Sequence, residues 1–330
     1  MPYTYQSWTK YCLPFSRHST LHILPCRVMS QTPPPFNRLP TELLHYVFNF
    51  AAAASRHTCL NLCLVASWVR DIALPHLFRT VVVKDAHSNK LFAKFLTDPS
   101  SMSNFRAASF VSNVWTQHSR DLVLIAIEAC DKITHLALNT AHLRWLIRST
   151  SLGTVAAGVS KGISLAALAR LQDLHLTLLD AQSLNLALTE HHNDDVTRKS
   201  PIFDKVTHMR LTAIDDYRMR ASLGHFSRLS HFCVPYYDSR RHDARFLESF
   251  LELQSLQMLV MAFFKNGPIG AQETLKLWVQ KARETDHRIY LVECQSVSIQ
   301  SEWEQDMRCG DSIWDRATRY TNEWEANRRH

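Results

Sequence analysis

Glycine is scarce in this chain. Its 330 residues include 7 glycines, roughly a third of the usual share, so folds that cradle phosphates in several glycine-rich turns start at a disadvantage. The nearest approach to a Walker loop runs from Gly153 to Gly158, but Val159 and Ser160 follow and Lys161 is displaced. No backbone nest there ends in Lys-Ser/Thr. The Gly-x-Ser-x-Gly elbow, His-Glu-x-x-His, Gly-x-Gly-x-x-Gly and Cys-x2-Cys patterns are missing as well, which removes the common hydrolase, zinc-protease and dinucleotide signatures. The 8 cysteines lie apart, at positions 12, 26, 59, 63, 130, 233, 294 and 309. They read as reduced thiols of an intracellular protein. Apolar runs are short: the best, Leu122 to Ile127, stops at Glu128, far from the roughly 18 residues of a membrane helix. Acid is absent from residues 1–38, which carry Lys10, Arg17, Arg27 and Arg38. That composition is similar to a mitochondrial transit peptide, yet Pro14 and Pro25 break the helical faces such a peptide needs. A flexible extension is the plainer reading, with Met29 as an alternative start and a cytoplasmic or nuclear location expected.

What is present is ample core material. Hydrophobic residues make up 46% and charged residues 20%, the balance of a soluble globular chain. The net charge of +7 is uneven, because residues 201–246 contribute +3 while 247–330 contribute −3. Arg210, Arg218, Arg220, Arg228, Arg240, Arg241 and Arg245 fall among five acids. A solvated face fits this mixture better than a nucleic-acid groove, so no nucleic-acid partner is expected. A mitochondrial RNA-associated protein is the weaker reading built on this segment and the basic start.

Residues 1–35 form an extension ending in Pro33-Pro34-Pro35, a stiff spacer. Ordered structure is expected from residue 36. Leu39-Pro40-Thr41-Glu42 places proline in a first helical turn with an acid against the positive helix end. Leu43, Leu44, Val47, Phe48 and Ala51 then recur at helical spacing. A loop over 55–58 leads to a second amphipathic stretch with Leu60, Cys63, Leu64 and Trp68 on one face and Val65, Val69 and Ile72 beside it. Pro75 is expected to end that helix, and Leu77 to Val83 passes into a strand. Such a unit, over 36–83, is too small to bury its own apolar faces.

The run Leu39-Pro40-x-Glu42-Leu43-Leu44-x-x-Val47-Phe48, then Leu60, Leu64-Val65, Trp68, Pro75 and Leu77-Phe78-Arg79 in order, resembles an F-box. The ending His76 to Val81 is similar to the form common in basidiomycete fungal F-box proteins. The segment from Ala51 to Cys59 departs from the pattern: it is longer than usual and lacks the common Asp-Pro. The resemblance covers about 45 residues.

Over 84–330 an irregular repeat follows, five segments of the form Φ-x-x-Φ-x-Φ: Ile133/Leu136/Leu138, Leu171/Leu174/Leu176, Val206/Met209/Leu211, Leu229/Phe232/Val234 and Leu256/Leu259/Met261. Each is expected to be a strand with a helical return, the helices falling at Ala181–Glu190, Asp243–Leu253 and Gln272–Thr285. Further strands are expected at Arg288–Glu293 and Ala108–Val114. This resembles a degenerate leucine-rich-repeat solenoid. The asparagine ladder of regular repeats is missing, since its positions hold Ala141, Leu179, Ile214, Tyr237 and Phe264. Trp303, Met307, Ile313, Trp314, Ala317 and Trp324 give two amphipathic pieces divided by Gly310, with Ser312-x-x-Asp315 as a capping box, read as a solenoid cap. The expected class is thus α/β: an N-terminal helical F-box followed by parallel strands with helical returns.

Stacking the strands in this frame puts His135, Asp173, His208, His231 and Met258 in one column and Ala137, His175, Arg210, Cys233 and Val260 in the next. Three imidazoles and a carboxylate have the donor types for zinc or for sensing pH near 6.5. A polar concave face with scattered histidine is the plainer reading, and no metal or cofactor is expected. The run Glu190 to Asp195 also carries ligand types, but neighbouring side chains diverge. The resemblances imply an adaptor rather than an enzyme. The F-box set Leu39, Pro40, Leu43, Leu44, Val47, Phe48, Leu60, Leu64, Val65 and Trp68 would bind the Skp-type linker of a cullin–RING ubiquitin ligase. The face carrying His135, Asp173, His175, His208, Arg210 and His231 would meet a protein substrate. The alternative is a binding scaffold, independent of any ligase, in which the N-terminal helices are only a cap.

Overall fold

The computed structural model describes residues 39–97, 107–117, 119–150, 163–180, 200–213, 223–236, 245–265, 267, 269–294 and 298–328. Two units divide the chain, Met1–Leu44 and His45–His330. In the first, Leu43 and Leu44 donate backbone hydrogen bonds to the Pro40 carbonyl, starting helix α1 (Thr41–Ala54).

Within the second, short β-branched and leucine-rich runs become eight strands: β1 (Thr80–Val83), β2 (Asn113–Thr116), β3 (His135–Leu138), β4 (Leu174–Leu178), β5 (Val206–Leu211), β6 (His231–Tyr236), β7 (Met258–Phe264) and β8 (Ile289–Cys294). They form one sheet in chain order, and every neighbouring pair is parallel. Each connection therefore steps one place in the same direction. Because crossovers between parallel strands are right-handed, such a walk sends all the return helices to one face. That face packs on α4 (Ala86–Thr97), α5 (Arg120–Ala129), α6 (Thr140–Thr150), α7 (Leu165–Arg170), α8 (Arg245–Leu251) and α9 (Ile269–Arg283). Val114, Leu136, Leu176, Met209, Phe232, Leu259 and Ile289 line up across the strands to fill the core between them.

A parallel sheet needs both faces covered. The last two helices, α10 (Ile299–Cys309) and α11 (Ile313–Arg328), supply the second cover. Trp303 packs with Trp115 and Ala137, and Ile313 and Ala317 pack on Cys233, Val260 and Val292. Gly310 separates the two helices in the left-handed conformation, φ 68°, and Ser312 and Asp315 form the reciprocal cap expected at the start of α11. These helices lie on the sheet rather than only closing its end. At the edge of the sheet, Thr321 Oγ1 accepts from Leu291 N (2.8 Å) and lies 3.2 Å from its carbonyl oxygen, which occupies backbone groups that an edge strand otherwise leaves open. Among the described residues only Asp173 and Gly310 have positive φ. The described residues thus turn with few left-handed positions, in keeping with the low glycine content.

Three local expectations are corrected. The stretch after Ser55 is two helices, α2 (Arg56–Leu62) and α3 (Ser67–Arg79), instead of one preceded by a loop. Ser55 itself caps α2, its Oγ accepting from Thr58 N at 3.0 Å. Pro75 lies inside α3, which runs on to Arg79; with four residues to go, the missing N–H removes one bond near the helix end and the clash is tolerated. The third correction concerns register. β4 pairs His175 with both His135 and His208, with a bulge at Leu174/His175. The repeat in β4 is therefore set two residues later than Leu171/Leu174/Leu176. Leu171, Leu174, Leu176 and Leu178 are all buried, so the apolar pattern fits either frame. The expected helix at 181–190 and the run Glu190 to Asp195 lie outside the described residues.

Candidate functional site

Two surfaces bear on function. The first is built by α1–α3. The contacts joining these helices are made by small or modest side chains: Ala52, Cys59 and Ala73 are buried together, with Leu62, Cys63 and Leu77 around them. The Cys59 thiol donates to the Ala73 carbonyl at 3.0 Å, and burial, with the neighbouring Cys63 next, pushes its pKa up to about 11. It is a packed thiol and no nucleophile. Val69 and Leu74 of α3 are buried as well, but several large apolar side chains stay outside. Leu64 is 86% exposed, Val65 63%, Val47 55%, Leu60 45% and Trp68 42%. Trp68 is held from one side by the edge of Phe48 (centroids 5.3 Å apart), which is half-buried. In the N-terminal unit Leu39, Pro40 and Leu43 are exposed and Leu44 half-buried. Tyr46 and Phe50, also widely exposed, lie outside the expected set; their helical spacing from Leu43 and Val47 is the signal that could have found them.

The second surface is the sheet face under α10 and α11. The corrected register places His135, His175, His208 and His231 in one column, next to Met258. The rings of His175, His208 and His231 stack, with centroids 3.8 and 4.1 Å apart, and His135 lies tilted by 56° against His175 at 4.3 Å. Trp314 of α11 lies over the far end, 5.3 Å from His208 and 5.5 Å from His231. Thr134, Thr207 and Ser230 each place a hydroxyl within 2.9 Å or less of the Nδ1 of the histidine that follows. Since Ser230 Oγ already donates to the Thr207 carbonyl, the His231 Nδ1–H is the donor in its pair. The neutral form follows from the environment. Burial, reinforced by neighbouring imidazoles, pushes His135 down to about 3, His175 to about 4 and His208 to about 2, and burial lowers His231.

Asp173 stands apart from this column, correcting the expected one. It sits in the turn before β4 with φ 47°, exposed, and pairs with Arg228 at 2.8 Å. The next column carries Ala137, Thr177, Arg210, Cys233 and Val260. Arg210 meets two acids of α10, Glu302 at 2.8 Å and Asp306 at 3.6 Å, and Arg316 of α11 completes the cluster at 2.6 and 3.1 Å from the same acids. Burial raises the Glu302 carboxyl, but Arg210 and Arg316 outweigh it and leave the group below its ordinary value. At Asp306 burial prevails over the two guanidiniums, and the pKa rises to about 6.

The placement of the expected residues is therefore mixed. His135, His175, His208 and His231 come together, half-buried, and Arg210 is buried beside them under α10 and α11; only Asp173 is open. Among the described residues no group of three or more His, Cys, Asp or Glu is arranged to hold a metal ion. Stacked rings present faces to one another, and their lone pairs do not converge. The signal for the column is a histidine directly before a core-facing apolar residue in four successive strands, His135-Leu136, His175-Leu176, His208-Met209 and His231-Phe232. No helix among the described residues is long and apolar enough to cross a membrane. Compared with models of known families, with curated proteins and with solved structures, the chain matches none.

Proposed function

We propose that the chain is a substrate-recognition adaptor of a cullin–RING ubiquitin ligase. Its F-box-like helices dock on the Skp-type linker, which bridges to the cullin, and its sheet domain presents a protein substrate. The adaptor contributes proximity and orientation, raising the effective concentration of a substrate lysine, and has no catalytic residue in this reading. The observation that carries it is the cluster of large apolar side chains left open on α2, the turn after it and the start of α3: Leu60, Leu64, Val65 and Trp68 stay exposed while Cys59, Val69, Ala73 and Leu74 are buried. A helical cap serving only the sheet would bury its largest apolar side chains. Left open, they are the kind of anchors a partner's groove takes up, and the order of the motifs selects the Skp-type linker as that partner. Substrate recognition falls to surfaces of the sheet domain that α10 and α11 leave free, since the histidine column and Arg210 lie beneath those helices.

Leu64→Asp with Val65→Asp tests the docking surface without touching a core. Capture of a Skp-type linker should weaken about 100-fold or more, as expected for charges placed among interface anchors, while the thermal midpoint of the isolated chain stays within a few degrees of wild type. Undiminished capture by the double variant would contradict the assignment.

A further inference from the structure

A pocket lined by α1–α3, β1 and α10 is rich in cationic groups. Its walls come from the ends of α1 and α3, the start of α2 and β1, and the end of α10, and they bring together Arg56, Arg79 and Arg308 with His76 and the hydroxyls of Ser55 and Thr80. Arg79 and Arg308 each occupy the last turn of a helix, where a cation suits the carbonyl end. That accounts for each singly, but it does not account for three guanidiniums from three helices facing one pocket. The nearest neutralising contact is weak: Glu304 reaches Arg308 at 3.5 Å. Among the described residues Arg56 and Arg79 form no ion pair, although both are exposed. The positive field is felt by its neighbours. His76, whose Nε2 bonds Asn49 Oδ1 at 2.7 Å, is held below its ordinary pKa by burial and then by Arg79. Thr80 Oγ1 accepts from Asn113 Nδ2 at 2.9 Å, so its own proton remains free to donate.

We infer that this pocket binds a small soluble anion carrying phosphate groups, held by the Arg56, Arg79 and Arg308 guanidiniums and the Thr80 hydroxyl. Planar guanidinium forks suit phosphate oxygens in paired hydrogen bonds, and like charges gathered at one place favour a multiply charged anion. The site is separate from the Leu64/Val65 surface, so its failure and that of the linker assignment are distinguishable.

Isothermal titration of the full chain with inorganic pyrophosphate at low ionic strength tests it. One pyrophosphate should bind per chain, weakening with added salt. Arg56→Gln with Arg79→Gln should lower the affinity about 100-fold, about tenfold for each guanidinium removed. The same variant should keep the wild-type thermal midpoint without ligand and still capture the Skp-type linker. Absence of binding heat with wild-type protein at millimolar pyrophosphate, or unchanged affinity in the double variant, would overturn the inference.

Discussion

Arg210→Ala is expected to destabilise the chain by about 3–5 kcal/mol, the usual cost of stranding buried charge. The side chains of Arg210, Glu302 and Asp306 are 8%, 9% and 7% exposed. Removing Arg210 leaves two carboxylates facing Arg316 alone in a site that water hardly reaches. Thermal unfolding should show a fall in Tm of about 10 °C. The damage should also be local, because Glu302 and Asp306 sit on α10. Proteolysis under native conditions should cut first within 298–328 of the variant, and Trp303 and Trp314 emission should shift to the red. Arg210→Met with Glu302→Gln, which removes one charge of each sign, should recover part of the loss, since a buried pair often contributes little over neutral packing. A variant Arg210→Ala as stable as wild type would show that α10 is not held by this cluster.

Acid should destabilise the chain through the stacked histidines. In the unfolded chain each imidazole titrates near 6.5, whereas in the fold His135, His175 and His208 are held at about 3, 4 and 2 and His231 is lowered. Below pH 6.5 the unfolded chain thus binds protons that the folded stack refuses. The contribution to stability is complete above pH 6.5 and is lost as pH falls toward the folded values, with a slope of up to about 1.4 kcal/mol per pH unit for each imidazole. The charged groups around the column act on this unequally. Arg79 reinforces the depression at His135 and Asp173 opposes it at His175. Asp306 works in the other direction: its carboxyl, raised to about 6, favours the fold as pH falls from 6 toward 3.8. One carboxyl does not offset four imidazoles. Tm should fall on the order of 10 °C between pH 7.5 and pH 5, and His175→Gln with His208→Gln should flatten that dependence. An unchanged Tm over this interval would mean that the rings are protonated in the fold.

The strand positions are legible in the sequence where apolar residues recur in the Φ-x-x-Φ-x-Φ spacing and a single frame fits, as in Val206 to Leu211, or where a short run is apolar throughout, as in Met258 to Phe264. The parallel α/β class follows, because helices separate such strands. In β4 a surplus of leucines admits two frames: a slip of two residues preserves which face is apolar and changes only the column, so hydrophobicity alone does not resolve it. That slip hides the fourth histidine and puts Asp173 in its place. The Trp-rich C-terminal helices are legible as helices, with their glycine break and cap. Their seat across the sheet is not, because it depends on Arg210 meeting Glu302 and Asp306, the first of them 92 residues away in the chain. In α1–α3 the apolar spacing identifies helical segments but neither the break between α2 and α3 nor which side chains stay outside, since alanines and cysteines carry little weight in such patterns yet are buried.

Docking of α1–α3 on a Skp-type linker is the step on which the proposed function rests. Titrating purified full-length chain with a purified Skp-type linker, and following the complex by calorimetry and size-exclusion chromatography, tests it most directly. The account predicts a one-to-one complex with submicromolar affinity and a negative heat-capacity change from burial of Leu60, Leu64, Val65 and Trp68. Wild-type chain that elutes separately from the linker and gives no heat at high micromolar concentration would contradict it, leaving a ligase-independent scaffold as the reading of the fold.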